Sequence, residues 1–352
     1  MIARRDRLRA RLQAAGLDGL IVTSLPSIRY LTGFSGSNAA LIVDAVDPSA
    51  DLLATDGRYD VQVREECPDL EPLIDRATVG ALCARRVQQG GGRLAAEPGC
   101  SAGELADMRA HLPGVELGSG FVAELRMVKD ESEIGRLEVA CAITAQAMLD
   151  IAEEIGPGWT EIAVARRLEQ RFGELGADDR AFATIVAGGE HSAKPHHRPT
   201  ARPLAVGDLV VVDAGALVDG YHADMTRTFV VGAAEDWQRE VHACVAEAAA
   251  RGRAAALPEA PITDVDAAAR SCIDEAGWGD AFVHGLGHGV GLEIHEAQML
   301  SARTVGRLAA SMAITIEPGV YLPGRGGVRV EDTIVVGKSV LTEADRSLRS
   351  VG

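Results

Sequence analysis

Three histidines and two glutamates lie close together among glycines in the segment HGLGHGVGLEIHE, residues 284–296. His284 and His288 have the i, i+4 spacing of the zinc-protease pattern His-Glu-x-x-His, which places both rings on one face of a helix. The residue after His284 is Gly285, so the general base of that pattern is absent. Glycine at four alternate positions of the segment also disfavours a helix. If these histidines bind a metal, the other ligands must come from elsewhere in the chain.

A pair of aspartates is the first candidate for these additional metal ligands. In DLVVVDAGALVDGYHADMTRTFVVG, residues 208–232, two β-rich runs flank a turn near Asp219, a pattern typical of an antiparallel hairpin. Asp213 and Asp224 are symmetric about the point between Val218 and Asp219. We therefore expect these two carboxylates to face each other across the strands.

The same arrangement occurs a second time in AITIEPGVYLPGRGGVRVEDTIVVG, residues 313–337, where Glu317 and Glu331 are symmetric about Gly324. A single pair would fit an ordinary solvated strand face. Here the runs around the acids are apolar, which predicts strands buried on both faces, where like charges need a cation to neutralise them. Four carboxylates match the charge of two divalent cations, and such ions can activate water for hydrolysis at neutral pH.

The elements that position these groups divide into two regions. Of nine histidines, only His111 lies outside residues 191–295, so we assign the chemistry to the C-terminal region. Before residue 125, short β-like runs such as GLIVTS, AALIVDA and DLLATDG alternate with turn residues and helical patterns, which predicts an α/β domain. We place the boundary near residue 127, which gives domains of residues 1–127 and 128–352.

Two helices are predicted at the start of the second domain. Asp130 and Glu133 form a helix-start box, and apolar residues follow them at helical spacing. A second helix is expected to begin at Thr160, and its apolar stripe includes Phe172. We predict that Met148 and Phe172 belong to the hydrophobic core and hold no cofactor.

Composition excludes several classes of function. Lys and Arg number 35 against 51 Asp and Glu, which gives a net charge of −16 and opposes binding to nucleic acid or to anionic membranes. The N-terminus has no apolar signal segment, and no run of eighteen apolar residues occurs, so we expect a cytoplasmic protein. The six cysteines are scattered without a C-x-x-C pair, which predicts reduced thiols.

The motifs VDAGALVDGYHADMTRT, HGLGHGVGLEIHE, IEPGVY and GVRVEDT, in this order, closely resemble the pita-bread metallopeptidases, the family of methionine aminopeptidase, prolidase, Xaa-Pro aminopeptidase and creatinase. The resemblance implies an α+β fold, with a C-terminal pita-bread domain preceded by a smaller α/β creatinase-like domain. It also implies two divalent metal ions, with manganese expected and cobalt, zinc or iron as alternatives. The implied ligands are Asp213, Asp224, His288, Glu317 and Glu331, of which Asp224 and Glu331 bridge the two ions.

The same resemblance implies roles for further polar residues. His196 in KPHHRPT and His295 would hold the substrate around the scissile carbonyl, and His284 would line the same pocket. Glu317 would pass the proton to the leaving nitrogen. Arg329 would hold a ligand carboxylate in its orientation.

One register question stays open in KPHHRPT, because His197 directly follows His196. A shift of one residue would exchange their roles. We prefer His196 because it follows Pro195, in agreement with the Pro-His pattern of the family.

The N-terminal half narrows the choice of function. SIRYLTGFSGSNAALIV and LLATDGRYDVQ resemble the creatinase-like domain of prolidases and Xaa-Pro aminopeptidases, which methionine aminopeptidases lack, and TDGRY resembles the aminopeptidase P branch. The resemblance implies an Xaa-Pro aminopeptidase that acts on peptides with proline in second position. Alternatives are a prolidase restricted to dipeptides and a non-catalytic binding module on the same fold, although the complete ligand set argues against the module and against creatinase. We expect a homodimer.

Overall fold

The computed structural model describes residues 1–352, and the chain forms two compact units, Met1–Arg126 and Met127–Gly352. The predicted boundary after residue 127 lies one residue beyond this division. No helix of the chain has both the length and the apolar character needed to cross a membrane.

The N-terminal unit is a mixed sheet with helices, as the alternating pattern predicted. Six strands form it in the order β4-β3-β2-β1-β5-β6, and Leu82 of α4 and Met108 of α5 are among the side chains buried in its core. The strands are β1 (Gly19–Val22), β2 (Ala39–Asp44), β3 (Leu52–Thr55), β4 (Pro72–Ile74), β5 (Leu94–Ala96) and β6 (Glu116–Leu117). The helices are α1 (Ile2–Ala14), α2 (Leu25–Thr32), α3 (Asp60–Glu66), α4 (Thr78–Gln88), α5 (Ala102–His111) and α6 (Phe121–Met127).

The C-terminal unit contains four long helices. They are α7 (Glu131–Glu154), α8 (Glu161–Glu174), α9 (Asp236–Ala255) and α10 (Ile262–Glu275). Helix α7 begins with a capping box in which Asp130 and Glu133 each accept a hydrogen bond from the other's backbone N–H, and Thr160 caps α8. Both predicted helix starts are confirmed.

These helices pack on two four-stranded sheets of the same unit. Their orders are β19-β12-β9-β8 and β14-β13-β15-β18, and β7, β10, β11, β16 and β17 form smaller ribbons. The strands are β7 (Asp179–Arg180), β8 (Ile185–Gly188), β9 (Leu209–Ala214), β10 (Ala216–Val218), β11 (Tyr221–His222), β12 (Met225–Val231), β13 (Gly287–Gly289), β14 (Glu296–Leu300), β15 (Ala313–Ile316), β16 (Gly319–Leu322), β17 (Gly326–Arg329), β18 (Asp332–Val335) and β19 (Arg349–Val351).

Each of these two sheets packs against its own pair of helices. Helices α7 and α8 pack on β9 and β12, and the predicted core residues Met148 and Phe172 are buried in that layer. Helices α9 and α10 pack on the other sheet, where Leu300 of β14, Ile314 of β15 and Ile334 of β18 are buried in the same core. Strands β9, β12, β15 and β18 are buried along their whole length, as their apolar sequences predicted.

The first carboxylate hairpin has a register that differs from the prediction. Asp213 pairs with Thr226 and not with Asp224, because the turn is centred between Asp219 and Gly220, which both adopt positive φ. In this register Gly215 lies opposite Asp224, where a Cβ atom would overlap the carbonyl oxygen of Ala223. The two aspartates are therefore diagonal neighbours, two positions apart, on one face.

The second hairpin has the predicted register. Gly319 pairs with Arg329 in the β16–β17 ribbon, and Ile316 pairs with Asp332 in β15–β18. Both ladders are centred on Gly324, so they are parts of one long hairpin with a gap between them. Glu317 and Glu331 occupy facing positions in that gap.

Candidate metal centre and active site

One cavity of about 480 Å3 in the C-terminal unit brings the predicted site residues together. The hairpins supply the acids, β13 supplies His288, and the loops beside β13 and before β9 supply the other histidines. Histidines 284 and 288 do not lie on a helix, as the glycine spacing predicted. The polar residues that line the cavity are His196, Asp213, Asp224, His284, His288, His295, Glu317, Arg329 and Glu331. The apolar part of the lining includes Phe182, Ile185, Pro195, Ile294 and Met299.

The innermost side chains form a group with the chemistry of metal ligands. Asp224, His288 and Glu331 are buried, and one ligand atom from each lies within 4.8 Å of the others. His288 Nε2 is 3.4 Å from Asp224 Oδ2 and 3.4 Å from Glu317 Oε1, which is long for a hydrogen bond. Two atoms that each bind one ion at about 2.1 Å stand roughly 3.0 to 3.4 Å apart, so this spacing fits a shared divalent cation.

The hydrogen bonds of the group leave the required lone pairs free. His288 Nδ1 is 3.0 Å from the carbonyl oxygen of Gly289 and must donate to it, so Nε2 carries the lone pair and faces the acids. Asp213 Oδ1 is buried and no hydrogen-bond donor reaches it. A buried carboxylate oxygen without a donor is costly. Both observations fit residues that bind a cation.

Electrostatics support the same interpretation. Burial, and then the charges of Asp213 and Glu317, raise the pKa of Asp224 well above its ordinary value. Burial, and then the charge of Asp224, raise the pKa of Glu331 in the same way, and burial also raises the pKa of Glu317. These pKa shifts oppose full ionisation of the three carboxylates, and divalent cations would supply positive charge that stabilises the ionised forms.

Arg329 connects the acids of both hairpins. Its Nη2 donates to Asp213 Oδ2 at 2.6 Å, and its Nε donates to Thr226 Oγ1 at 3.0 Å. Thr226 Oγ1 in turn donates to Glu331 Oε2 at 2.6 Å. Arg329 therefore holds one candidate ligand directly and another through the Thr226 hydroxyl.

His284 is tied into the same network through a tyrosine that the sequence analysis missed. His284 Nδ1 donates to the Gly285 carbonyl oxygen at 2.8 Å, so its Nε2 accepts from the Tyr321 hydroxyl at 3.0 Å. Tyr321 also accepts from Arg329 Nη1 at 2.9 Å. Burial lowers the pKa of His284 to about 4, so the ring is neutral at neutral pH. The signal in the sequence for this network was a polar residue, Thr226, two positions after Asp224 in a β-rich run, because alternate strand positions share a face.

The two remaining histidines stand at the open side of the cavity. The ring of His295 meets that of His288 edge-on, with centroids 4.3 Å apart, and burial followed by the proximity of His288 lowers the pKa of His295. His196 lines the cavity, whereas His197 is buried away from it and contacts Glu161. The structure thus places the first histidine of KPHHRPT, and not the second, at the candidate site.

Comparison with known proteins gives two family matches that together cover most of the chain. Residues 135–338 match Metallopeptidase family M24, and residues 4–128 match the Creatinase/Prolidase N-terminal domain. The chain is 37% identical to the uncharacterized peptidase YqhT of Bacillus subtilis over 350 residues, which are 97% of this chain and 98% of that protein.

Solved structures agree with both domains. The chain is similar to the Xaa-Pro dipeptidase from Bacillus anthracis, with a TM-score of 0.94, 34% identity and 99% of each chain covered. It is also similar to the X-Pro aminopeptidase from Thermotoga maritima, with a TM-score of 0.91, 33% identity and 99% of each chain covered. The predicted two-domain α+β architecture is confirmed.

Proposed function

Because the chain belongs to Metallopeptidase family M24, we propose that it is an Xaa-Pro aminopeptidase, which cleaves the bond between an N-terminal residue and a following proline. One observation carries this proposal: a single cavity combines the candidate ligand group of Asp224, His288 and Glu331 with further histidines and an apolar wall. The similar structures bear the names Xaa-Pro dipeptidase and X-Pro aminopeptidase, which supports proline-directed cleavage.

The cofactor that we propose is a pair of divalent ions, with manganese first and cobalt, zinc or iron as alternatives. When bound, such a pair activates water and polarises the scissile carbonyl. Asp224 and Glu331 would be among the residues that hold the ions, which agrees with their burial. The full set of ligands is Asp213, Asp224, His288, Glu317 and Glu331.

The side chains around this centre would transfer the proton and bind the substrate. Burial raises the pKa of Glu317, and its Oε1 accepts a hydrogen bond from Thr315 Oγ1 at 3.2 Å. Glu317 accepts a proton from the attacking water and passes it to the leaving nitrogen. His196 and His295, on the open side, donate hydrogen bonds to the oxygen on which negative charge develops. Arg329 keeps the carboxylate of Asp213 in place throughout.

The cavity wall favours an aminopeptidase over a strict dipeptidase. Phe182, Ile185 and Met299 supply apolar surface that suits a proline ring. A dipeptidase has to bind the carboxylate that directly follows proline, commonly with a fixed cation. Arg329 is the single Lys or Arg in the lining, and its guanidinium is engaged by Asp213, Thr226 and Tyr321.

A series of peptides that share one Xaa-Pro start tests the proposal. We expect kcat/KM for Ala-Pro-Ala and for a pentapeptide to equal or exceed the value for Ala-Pro. Replacing proline by alanine, or acetylating the amino terminus, should abolish most turnover. Cleavage of Ala-Pro alone would make the chain a prolidase, and no cleavage of any Xaa-Pro peptide by the metal-loaded protein would contradict both functions.

We also propose that the enzyme acts as a homodimer in the cytoplasm, without nucleic-acid or membrane partners. Its net charge of −16 opposes both kinds of anionic partner. Its six cysteines are all unpaired, which suits a reducing compartment. Light scattering of the purified chain would measure the oligomeric state, and a monomeric mass would contradict the dimer.

A further inference from the structure

A second group of titratable side chains lies outside the cavity lining. Glu161, the first residue of α8, is fully buried. His191 Nδ1 lies 2.9 Å from its Oε1, and His197 Nε2 lies 2.9 Å from its Oε2. The two imidazole rings pack against each other with their centroids 4.3 Å apart. Each oxygen of one carboxylate therefore faces one histidine.

The Glu161 carboxylate is saturated with hydrogen bonds, so it has no free position for a metal ion. Besides the two imidazoles it accepts from Gly188 N–H at 2.9 Å, from Thr200 N–H at 2.9 Å and from Thr200 Oγ1 at 2.7 Å. A carboxylate offers about four lone-pair sites, and five donors fill them. Burial alone would raise the pKa of Glu161, but these donors outweigh it and lower the pKa to about 2.

The carboxylate holds both ends of one loop. We name residues 188–200 the His196 loop, since His196 lies within it and lines the cavity. Gly188 and Thr200, its first and last residues, both donate to Glu161. The His196 ring makes no hydrogen bond within the protein, so the position of that ring depends on the backbone that carries it.

Two further contacts connect the same loop to the hairpin that carries Glu317 and Glu331. Ser192 Oγ accepts from Gly327 N–H at 2.8 Å, and the carbonyl oxygen of Pro195 accepts from Arg329 Nη1 at 3.3 Å. Arg329 also holds Asp213. The His196 loop is thus fixed on one side by Glu161 and on the other by the residue that orients a candidate metal ligand.

We propose that Glu161, His191 and His197 are positioning residues, which clamp the His196 loop and so set the distance of the His196 ring from the scissile carbonyl. This inference rests on the proposed function, in which His196 contacts the substrate. A catalytic group that is displaced by about 1 Å can cost 10²-fold in rate. Loss of the clamp should therefore reduce turnover through His196, with the metal ligands left in place.

A double-mutant cycle tests the clamp. The variants are Glu161→Gln, His196→Ala and their combination, each assayed for kcat on Ala-Pro-Ala and for bound manganese. We expect Glu161→Gln to lower kcat by about 10- to 100-fold with unchanged metal content. In the His196→Ala background the same substitution should have little further effect on kcat, because its target ring is gone.

A matched pair at His197 covers the case in which Glu161→Gln does not fold. His197→Gln keeps an N–H donor near the position of Nε2, whereas His197→Leu keeps the bulk and removes the donor. We expect His197→Gln to retain kcat and His197→Leu to lose it. Asp44→Asn is the control, since Asp44 is a buried carboxylate of the N-terminal unit that accepts from Arg86 at 2.7 Å, and it should lower stability without lowering kcat.

Hydrogen exchange gives a measurement that does not depend on turnover. Amides of residues 188–200 should exchange faster in Glu161→Gln and His197→Leu, and at the wild-type rate in Asp44→Asn. Equal losses of kcat from Glu161→Gln with and without His196, or equal kcat in the two His197 variants, would overturn the clamp. Failure of the proposed function itself would show separately, as absence of turnover in the wild-type chain.

Discussion

Replacing Glu331 with glutamine should change both the affinity for divalent ions and the number of protons that binding releases. Burial and the neighbouring acids raise the pKa of Glu331 and of Asp224, so in the absence of a cation these groups keep protons at a pH where exposed carboxylates have lost them. A bound cation must displace those protons. Metal affinity therefore rises with pH.

The size of the change in metal affinity follows from the linkage between metal binding and proton release. Each displaced proton changes the apparent affinity tenfold per pH unit, about 1.4 kcal/mol. If both Asp224 and Glu331 release a proton, affinity changes by about 100-fold per pH unit, or roughly 2.7 kcal/mol. Glu331→Gln removes one titratable carboxyl group and one charged ligand. Even groups that only orient ligands cost about 10- to 100-fold in affinity, so the variant should bind at least that much more weakly.

Calorimetric titration with manganese at pH 6 and pH 7, in two buffers of different ionisation enthalpy, measures affinity and proton release together. Glu331→Gln should release fewer protons than the wild type. Glu65→Gln, at an exposed position of the N-terminal unit, is the control and should bind as the wild type does. Equal affinity and equal proton release in Glu331→Gln would refute the assignment of Glu331 as a ligand.

Two further predictions concern histidines. His288→Ala should lose bound metal, whereas His295→Ala should keep it and lose about 10²-fold or more in kcat, since it removes a transition-state hydrogen bond; equal metal loss in both would contradict these roles. Burial lowers the pKa of His242 to about 4, so the stability that depends on its neutral form is present above its unfolded pKa of about 6.5 and is lost as pH falls. At pH 5.5 the wild type should have lost about 1.4 kcal/mol of unfolding free energy through this residue. Urea unfolding at neutral pH and at pH 5.5 measures this loss of unfolding free energy. The loss should be absent in His242→Gln and present in His111→Gln, a control at an exposed position.

Local signals in the sequence were sufficient for several elements. The caps at Asp130 and Thr160 depend on neighbours within a few residues, and such contacts can be found from spacing. Glu317 and Glu331 were paired correctly because the turn at Gly324 is symmetric in both ladders of the hairpin. The glycine spacing also excluded a helix for His284 and His288.

The sequence did not predict features that depend on the exact centre of a turn or on partners far apart in the chain. The Asp213 hairpin was placed two positions out of register, because its turn is centred on Asp219-Gly220 and the pattern does not distinguish a centre one residue earlier. Glu161 meets His191 and His197 across 30 and 36 residues of chain. No periodicity relates positions so far apart, so this clamp emerged only from the fold.

We propose that the acids of two hairpins hold the metal ions that make this chain an aminopeptidase. The most direct measurement is the release of free alanine from Ala-Pro-Ala by protein that has been stripped of metal with a chelator and then titrated with manganese. We expect no release by the stripped protein and a rate that rises to saturation at about two equivalents of manganese per chain. Full turnover by the stripped protein would contradict it.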